Sequence, residues 1–225
     1  IEVIYQNKNL IALNKPAGLL VHGYRGSKEE TLTDWLMEKY PEVKNVGDKP
    51  EERPGIVHRL DKDTSGVILI PRNQEYFLYL KELFSKRMVK KAYRVVVHGV
   101  VKDDWGTIDA PISIKSGSVK RTVHKGKMEK SAITDYRVLE RFKDFTYLEV
   151  YPKTGRTHQI RVHLASINHP VVADKLYGGK INRPYDEAQM LHAYSVEFDV
   201  DDGERLKVVA EPPAYFMGFL EKLEK

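Results

Sequence analysis

One carboxylate in this sequence lies in a setting that is both apolar and basic. Asp61 closes the run Ile56-Val57-His58-Arg59-Leu60, with a guanidinium two positions before it. An Asp in that place ordinarily forms a turn, and a carboxylate can also act as a lone nucleophile or as a counter-charge to a developing cation. Arg161 sits beside Ile160 on a helical pattern but off its apolar stripe, where an Arg is ordinarily solvated. Tyr93 lies in an apolar strand just after Lys90-Lys91, the ordinary setting of a half-buried sheet aromatic. The residues alone leave these readings open.

The other templates for chemistry are missing. With 0 cysteines there is no thiolate nucleophile, Cys-containing zinc site, iron-sulfur cluster or disulfide framework. Gly23 to Lys28 is too short for a Walker A loop, and no Gly-x-Gly-x-x-Gly occurs, so no nucleotide-cofactor fingerprint is present. The 8 histidines never form His-Glu-x-x-His, and His158 with His163 is an i, i+5 pair that splays around a helix. The sequence therefore predicts no metal and no cofactor. Ser65 has no nucleophile-elbow glycines around it and reads as a turn hydroxyl.

The elements that must position these residues are short and mixed. Val3–Tyr5 and Leu10–Leu13 read as a hairpin about Asn7-Lys8-Asn9, stopped by Lys15-Pro16-Ala17-Gly18. Thr31 caps a helix to Tyr40 whose apolar positions are Leu32, Trp35, Leu36 and Tyr40. Val43 to Pro54 reads as a loop, Ile56–Leu60 as a strand ending in Asp61, and Val67–Ile70 as the next strand beyond the turn residues Asp63-Thr64-Ser65-Gly66. A helix over Gln74–Ser85, with Phe77, Leu78, Leu80 and Phe84 inward, leads to a strand over Ala92–Val101. Ser131–Glu140 and Phe145–Tyr151 form a hairpin, and a helix opens at Thr157 with Ile160, Leu164 and Ile167 as its stripe. Val196–Val200 and Leu206–Ala210 pair across Asp201-Asp202-Gly203-Glu204, and Ala214–Leu223 closes as a helix. The pattern predicts an α+β fold with a mixed, mainly antiparallel central sheet and flanking helices.

A chain of 225 residues that is 41% apolar can bury a sizeable core, as one domain or as two small ones sharing it. No apolar run approaches the ~18 residues of a membrane span, and Ile1 to Leu10 lacks the layout of a secretory signal. The expectation is a soluble, cytoplasmic protein, working as a monomer and without a membrane partner. Lys plus Arg outnumber Asp plus Glu by 37 to 32, giving +5. The excess is concentrated in Lys86, Arg87, Lys90 and Lys91, and in Lys115, Lys120, Arg121, Lys125, Lys127 and Lys130, patches suited to phosphate contacts.

The run Pro54-Gly55-Ile56-Val57-His58-Arg59-Leu60-Asp61-Lys62-Asp63-Thr64-Ser65-Gly66 resembles the H-R-L-D-x-x-T-S-G signature of the RluA family of pseudouridine synthases. The resemblance continues in order through Asn14-Lys15-Pro16-Ala17-Gly18, Lys91-Ala92-Tyr93, Thr154 to Leu164, Asp174-Lys175-Leu176-Tyr177-Gly178 and Leu191-His192-Ala193. It implies a single catalytic domain over 1–225, without the RNA-binding S4 domain often attached upstream in that family. It also implies Asp61 as the catalytic carboxylate, Tyr93 as the active-site tyrosine and Arg161 as the basic partner of the carboxylate. Arg59 would enter the space left by the target base. His58, Leu60, Ile160, Lys90 and Lys91 complete the expected substrate and RNA contacts.

The implied reaction isomerises uridine in structured RNA without redox chemistry or external energy. Large-subunit ribosomal RNA is the leading target, with transfer RNA as the alternative. Leu60, Ile160 and Tyr93 would exclude water around Asp61, which disfavours its ionised form. Arg161 would offset this, since the coupling of unit charges 4 Å apart rises from about 1 kcal/mol in water to about 4 at an effective dielectric of 20. A contact between Asp61 and Arg161 is therefore expected. The competing reading is an RNA-remodelling protein of the same fold without chemistry, and the intact Asp61, Tyr93 and Arg161 argue against it. A base-releasing glycosidase would need a second carboxylate to activate water, and the matching blocks supply none.

Overall fold

The computed structural model describes residues 1–23, 29–115, 120–124, 126–178, 188–200 and 203–225. Most of the Gly23 to Lys28 loop, Lys125 of the second basic cluster, and the turn residues Asp201 and Asp202 lie outside the described residues. Along the chain the strands and α-helices are β1 (Glu2–Gln6), β2 (Leu10–Lys15), α1 (Leu32–Lys39), β3 (Ser65–Pro71), α2 (Gln74–Ser85) and β4 (Lys90–His98). There follow β5 (Trp105–Asp109), β6 (Ile112–Ile114), β7 (Arg121–Thr122), β8 (Lys127–Lys130), β9 (Ile133–Arg141) and β10 (Phe145–Pro152). The last are α3 (Gln159–Ser166), β11 (Leu191–Asp199), β12 (Arg205–Val209) and α4 (Ala214–Glu221). The fold is α+β and the pairing mainly antiparallel, as expected. Among the described residues no helix is long and apolar enough to cross a membrane.

The chain forms two compact units, Ile1–Lys90 with Ala193–Glu211 and Lys91–His192 with Pro212–Lys225. In the first, β1, β2 and β3 pair antiparallel in sequence order, β11 is bonded to β3, and β12 pairs antiparallel with β11. All seven residues of β3 are buried, the signature of a strand covered on both faces. Helix α2 buries Tyr76, Leu80 and Leu83 against Leu10, Ala12, Val67, Leu69, Val196 and Phe198. Leu78, expected on that stripe, is exposed, because the buried face runs through Tyr76, Phe77, Leu80 and Leu83 instead. Thr31 caps α1 as expected, in a reciprocal box with Asp34: each side chain accepts the other's backbone N–H.

Two expectations about this unit need correction. Val43 to Pro54 is not wholly a loop, since a short 3-10 turn spans Pro41–Asn45 with Val43 buried. Ile56–Leu60 is not a strand. Its residues are irregular, with Ile56 and Leu60 buried, because its anchoring bonds come from other sources. Gly55 N–H donates to Val46 O at 2.8 Å, and His58 Nε2 accepts the backbone N–H of Leu69 at 2.8 Å.

In the second unit β4, β10, β9 and β5 lie side by side, each pair antiparallel. The hairpin of β9 and β10 was legible in the sequence; the edge strand β5 was not. Leu148 and Val150 point from β10 into a core shared with Val95, Val97, Ile160, Leu164 and Leu191. Helix α3 is buried at every position from Gln159 to Leu164, so these six residues have no solvated face. Val96 packs with Phe216 and Phe219 of α4. A small separate sheet places β6 between β7 and β8, and all four residues of β8 are exposed.

Gly66 shows how tightly β3 meets β11. Its φ is +115°, and a Cβ there would lie 2.2 Å from the backbone oxygen of Ala193, which cannot swing aside. Gly66→Ala is expected to cost roughly 3 kcal/mol or more, read as a fall in the urea midpoint with the same slope. A midpoint equal to the parent's would contradict this packing.

Candidate functional site

Asp61 stands at the head of a turn rather than at the end of a strand: its carbonyl accepts Thr64 N–H at 3.2 Å, and β3 starts at the next residue. The turn is tied down from behind by a lysine. Lys15 ends β2 with 0% exposure, and its Nζ donates to Pro16 O at 2.9 Å, Leu19 O at 2.8 Å and Lys62 O at 3.0 Å. Gly18 N–H donates to the same Lys62 carbonyl at 2.9 Å. Burial pulls the ammonium down from 10.5 to about 8, against the favourable fields of Asp63 and Asp61. The three carbonyls also favour the charged form. A buried cation thus feels the field of the half-buried Asp61 and fixes the backbone next to it.

The neighbours of Asp61 divide by environment. Arg59 is exposed, whereas Leu60 is buried. His58 is held within the unit by Leu69 N–H and by stacking on Phe84, with ring centroids 4.7 Å apart. Its ring therefore braces β3. His22 lies within the field of Arg59 and Arg53; burial first, then those two guanidiniums, lower its affinity for a proton. Lys90 is exposed, with Nζ 3.6 Å from Glu197.

In the second unit Tyr93 pairs with Val150 of β10 and packs against the core that contains Ile160. Lys91 is half-buried, and burial lowers it to about 8. Arg161 is only 8% exposed, contrary to the ordinary solvated reading. Its Nε donates to Asp174 Oδ2 at 2.7 Å and its Nη2 to Asp174 Oδ1 at 2.9 Å, a bidentate pair, while its guanidinium lies 5.2 Å from the Tyr177 ring centroid. Asp174 Oδ1 also accepts the backbone N–H groups of Leu176 and Tyr177, at 2.8 and 3.0 Å. Burial alone would raise Asp174, but the Arg161 guanidinium and the two N–H groups hold it below the usual carboxylate range.

The start of α3 is locked by side chains. Gln159 accepts from the Thr154 hydroxyl and Arg156 N–H, and donates to Ile133 O and Thr134 Oγ1, all within 2.6–3.0 Å. His163, kept neutral by burial, bridges Thr134 Oγ1 and Ala110 O, both at 2.9 Å. His158 caps the helix in the left-handed region at φ +57°, with Nδ1 2.9 Å from Tyr177 Oη. Among the described residues no three His, Cys, Asp or Glu side chains are grouped to hold a metal.

The structure thus groups Arg59, Leu60 and Asp61 in the first unit, and Tyr93, Ile160 and Arg161 in the second. Sequence reasoning missed Lys15, Asp174 and Tyr177. Each was within a quoted block, and a Lys terminating the apolar Leu10-Ile11-Ala12-Leu13 strand was the available signal for the first.

The sequence profile of the RNA pseudouridylate synthase family matches residues 9–166. A ribosomal large subunit pseudouridine synthase D of Borreliella burgdorferi is 35% identical over all of this chain and 69% of its own length. An Aquifex aeolicus protein called an uncharacterized RNA pseudouridine synthase is 40% identical over all of this chain and 73% of its own. The solved structure of human RNA pseudouridylate synthase domain containing 4 superposes with a TM-score of 0.77 at 27% identity, covering 99% of this chain and 94% of that one. The chain belongs to the RNA pseudouridylate synthase family and is an isomerase that acts on RNA.

Two predictions follow from the buried charges. Between pH 8 and 10.5 the unfolded state binds more protons than the native state at Lys15 and Lys91, so their contribution to stability rises with pH. Tyr151, pushed up to about 12 by burial and Glu149, acts oppositely above pH 10. Urea midpoints at pH 7.5, 9 and 10 are expected to show a rise that Lys15→Met weakens. Asp174→Asn, which leaves Arg161 buried without its counter-charge, is expected to cost about 3 kcal/mol and to lower turnover; unchanged stability would contradict the bidentate pair.

Proposed function

We propose that this enzyme converts uridine to pseudouridine in structured large-subunit ribosomal RNA, with Asp61 as its catalytic carboxylate. The observation that carries the assignment is the caged ammonium of Lys15, which fixes the turn headed by Asp61 and places a positive field on it. The target RNA is supported by relatives in Borreliella burgdorferi and Pseudomonas aeruginosa that bear the name ribosomal large subunit pseudouridine synthase D.

The reaction breaks the C1′–N1 bond, turns the uracil, joins C5 to C1′, and releases the C5 proton while N1 regains one. An ionised Asp61 can attack C1′, stabilise positive charge there, or take a sugar proton to open a glycal route. The buried guanidinium of Arg161, held by Asp174, supplies positive charge for the reaction. Flipping the uridine out of the stack costs a few kcal/mol, and a base stacked on the Tyr93 ring returns about 1 to 3. The exposed Arg59 fills the gap in the RNA, and Lys90 and Lys91 contact phosphates. The protein acts in the cytoplasm as a monomer.

Asp61→Asn is expected to lower tritium release from C5-tritiated ribosomal RNA by at least about a thousandfold, with RNA affinity within about threefold of the parent. Release at the parent rate would refute the role of Asp61. Pseudouridine mapping in cells lacking the gene is expected to show a loss in large-subunit ribosomal RNA; a loss confined to transfer RNA would overturn the target.

A further inference from the structure

We infer that Tyr177 is a positioning residue that passes RNA engagement by the small basic sheet on to Arg161. The inference rests on the proposed reading of Arg161 as a residue of the reaction, and all of its geometry lies within the second unit. Tyr177 has several connections. Its ring lies under the Arg161 guanidinium at 5.2 Å, and its N–H binds Asp174 Oδ1, the same oxygen that Arg161 Nη2 uses. Its hydroxyl oxygen accepts the backbone N–H of Arg121 at 2.9 Å, and lies 2.9 Å from Nδ1 of His158. A phenol that accepts from Arg121 can give its own proton to that imidazole.

Each connection ends on a part that matters for the arginine. Arg121 opens β7, and the preceding Lys120 donates from Nζ to Leu176 O at 2.9 Å, so the edge of the basic sheet is fastened to the turn that carries Asp174 and Tyr177. Ile112 of β6 and Val123 pack in the same cluster as Tyr177. His158 is the left-handed cap of α3, a conformation that a non-glycine residue rarely adopts, and the Tyr177 hydroxyl at its ring helps hold it there. Arg161 is three residues further along that helix. On the other side of the sheet, β8 presents Lys127 and Lys130 to solvent, where a phosphate backbone can reach them. A pull on these lysines is therefore felt at Tyr177, and through it at the cap of α3 and at the Arg161–Asp174 pair.

The test is a double-mutant cycle on C5-tritiated ribosomal RNA, read as single-turnover rate at saturating RNA and as half-saturating concentration. Tyr177→Phe keeps the ring and removes the hydroxyl. It is expected to slow the saturated rate about tenfold, with half-saturation within about twofold. Lys127→Ala with Lys130→Ala is expected to weaken binding about fivefold or more. The same pair also slows the saturated rate in the parent but not in the Tyr177→Phe background. A parent-like saturated rate for Tyr177→Phe, or two effects that simply multiply, would overturn the inference. Should Tyr177→Phe fail to fold, Arg121→Pro set against Arg121→Ala deletes the same hydrogen bond from the donor side; equal saturated rates for those two would overturn it as well. Asp61→Asn runs alongside: turnover by that protein sinks the site assignment itself, whereas its inactivity together with an inert Tyr177→Phe sinks only the coupling.

Discussion

A guanidinium stays out of water only when its charge and its N–H groups are met together, and the Arg161–Asp174 pair does both. The carboxylate takes two N–H groups from the arginine and two from the backbone of the following turn, so it is satisfied on all sides. Much of the second unit is arranged around that requirement. The turn must close tightly enough to aim Leu176 and Tyr177 N–H at Oδ1, Tyr177 must then lie against the guanidinium, and α3 must enter from a strained cap so that Arg161 points inward. Gln159 and His163 tie the same helix to β9 and to Ala110, so its position does not depend on the charged pair alone.

The first unit solves a similar problem differently. Lys15 has a compact charge with rotatable donors, and three backbone carbonyls accept from it. The cost of burying this charge is offset by what the cage does: it joins the segment after β2 to the backbone immediately beyond Asp61. In the role proposed for Asp61, a fixed positive charge and a backbone that does not move both favour the reaction. Both buried cations serve neighbouring acids, one through a direct bidentate contact and one through a longer-range field.

Element types were largely readable along the chain. The Thr31 cap, the helix over Gln74–Ser85 and the β9–β10 hairpin rest on local rules of capping and periodicity, and the structure follows them. Where reading failed, long-range contacts decided. Ile56–Leu60 has a strand-like composition, yet the imidazole of His58 rather than a neighbouring strand meets Leu69 N–H, and the segment stays irregular. The face of α2 was misjudged at Leu78 because the true stripe is set by what β2, β3 and β11 offer it. Arg161 looked solvated because a helix wheel assumes one wet face, and α3 has none over its first six residues.

By itself, the sequence determined the family, the likeness of its blocks in order, and the residue types available for chemistry, since these are properties of the linear pattern. Only the tertiary structure decided which partner each buried charge takes. Arg161 meets Asp174 across 13 positions and Lys15 meets Lys62 across 47, through chain reversals whose end points no local periodicity encodes. Burial raises the energy of an unpaired charge so far that the fold must supply a partner. Which partner it supplies depends on where the loops return.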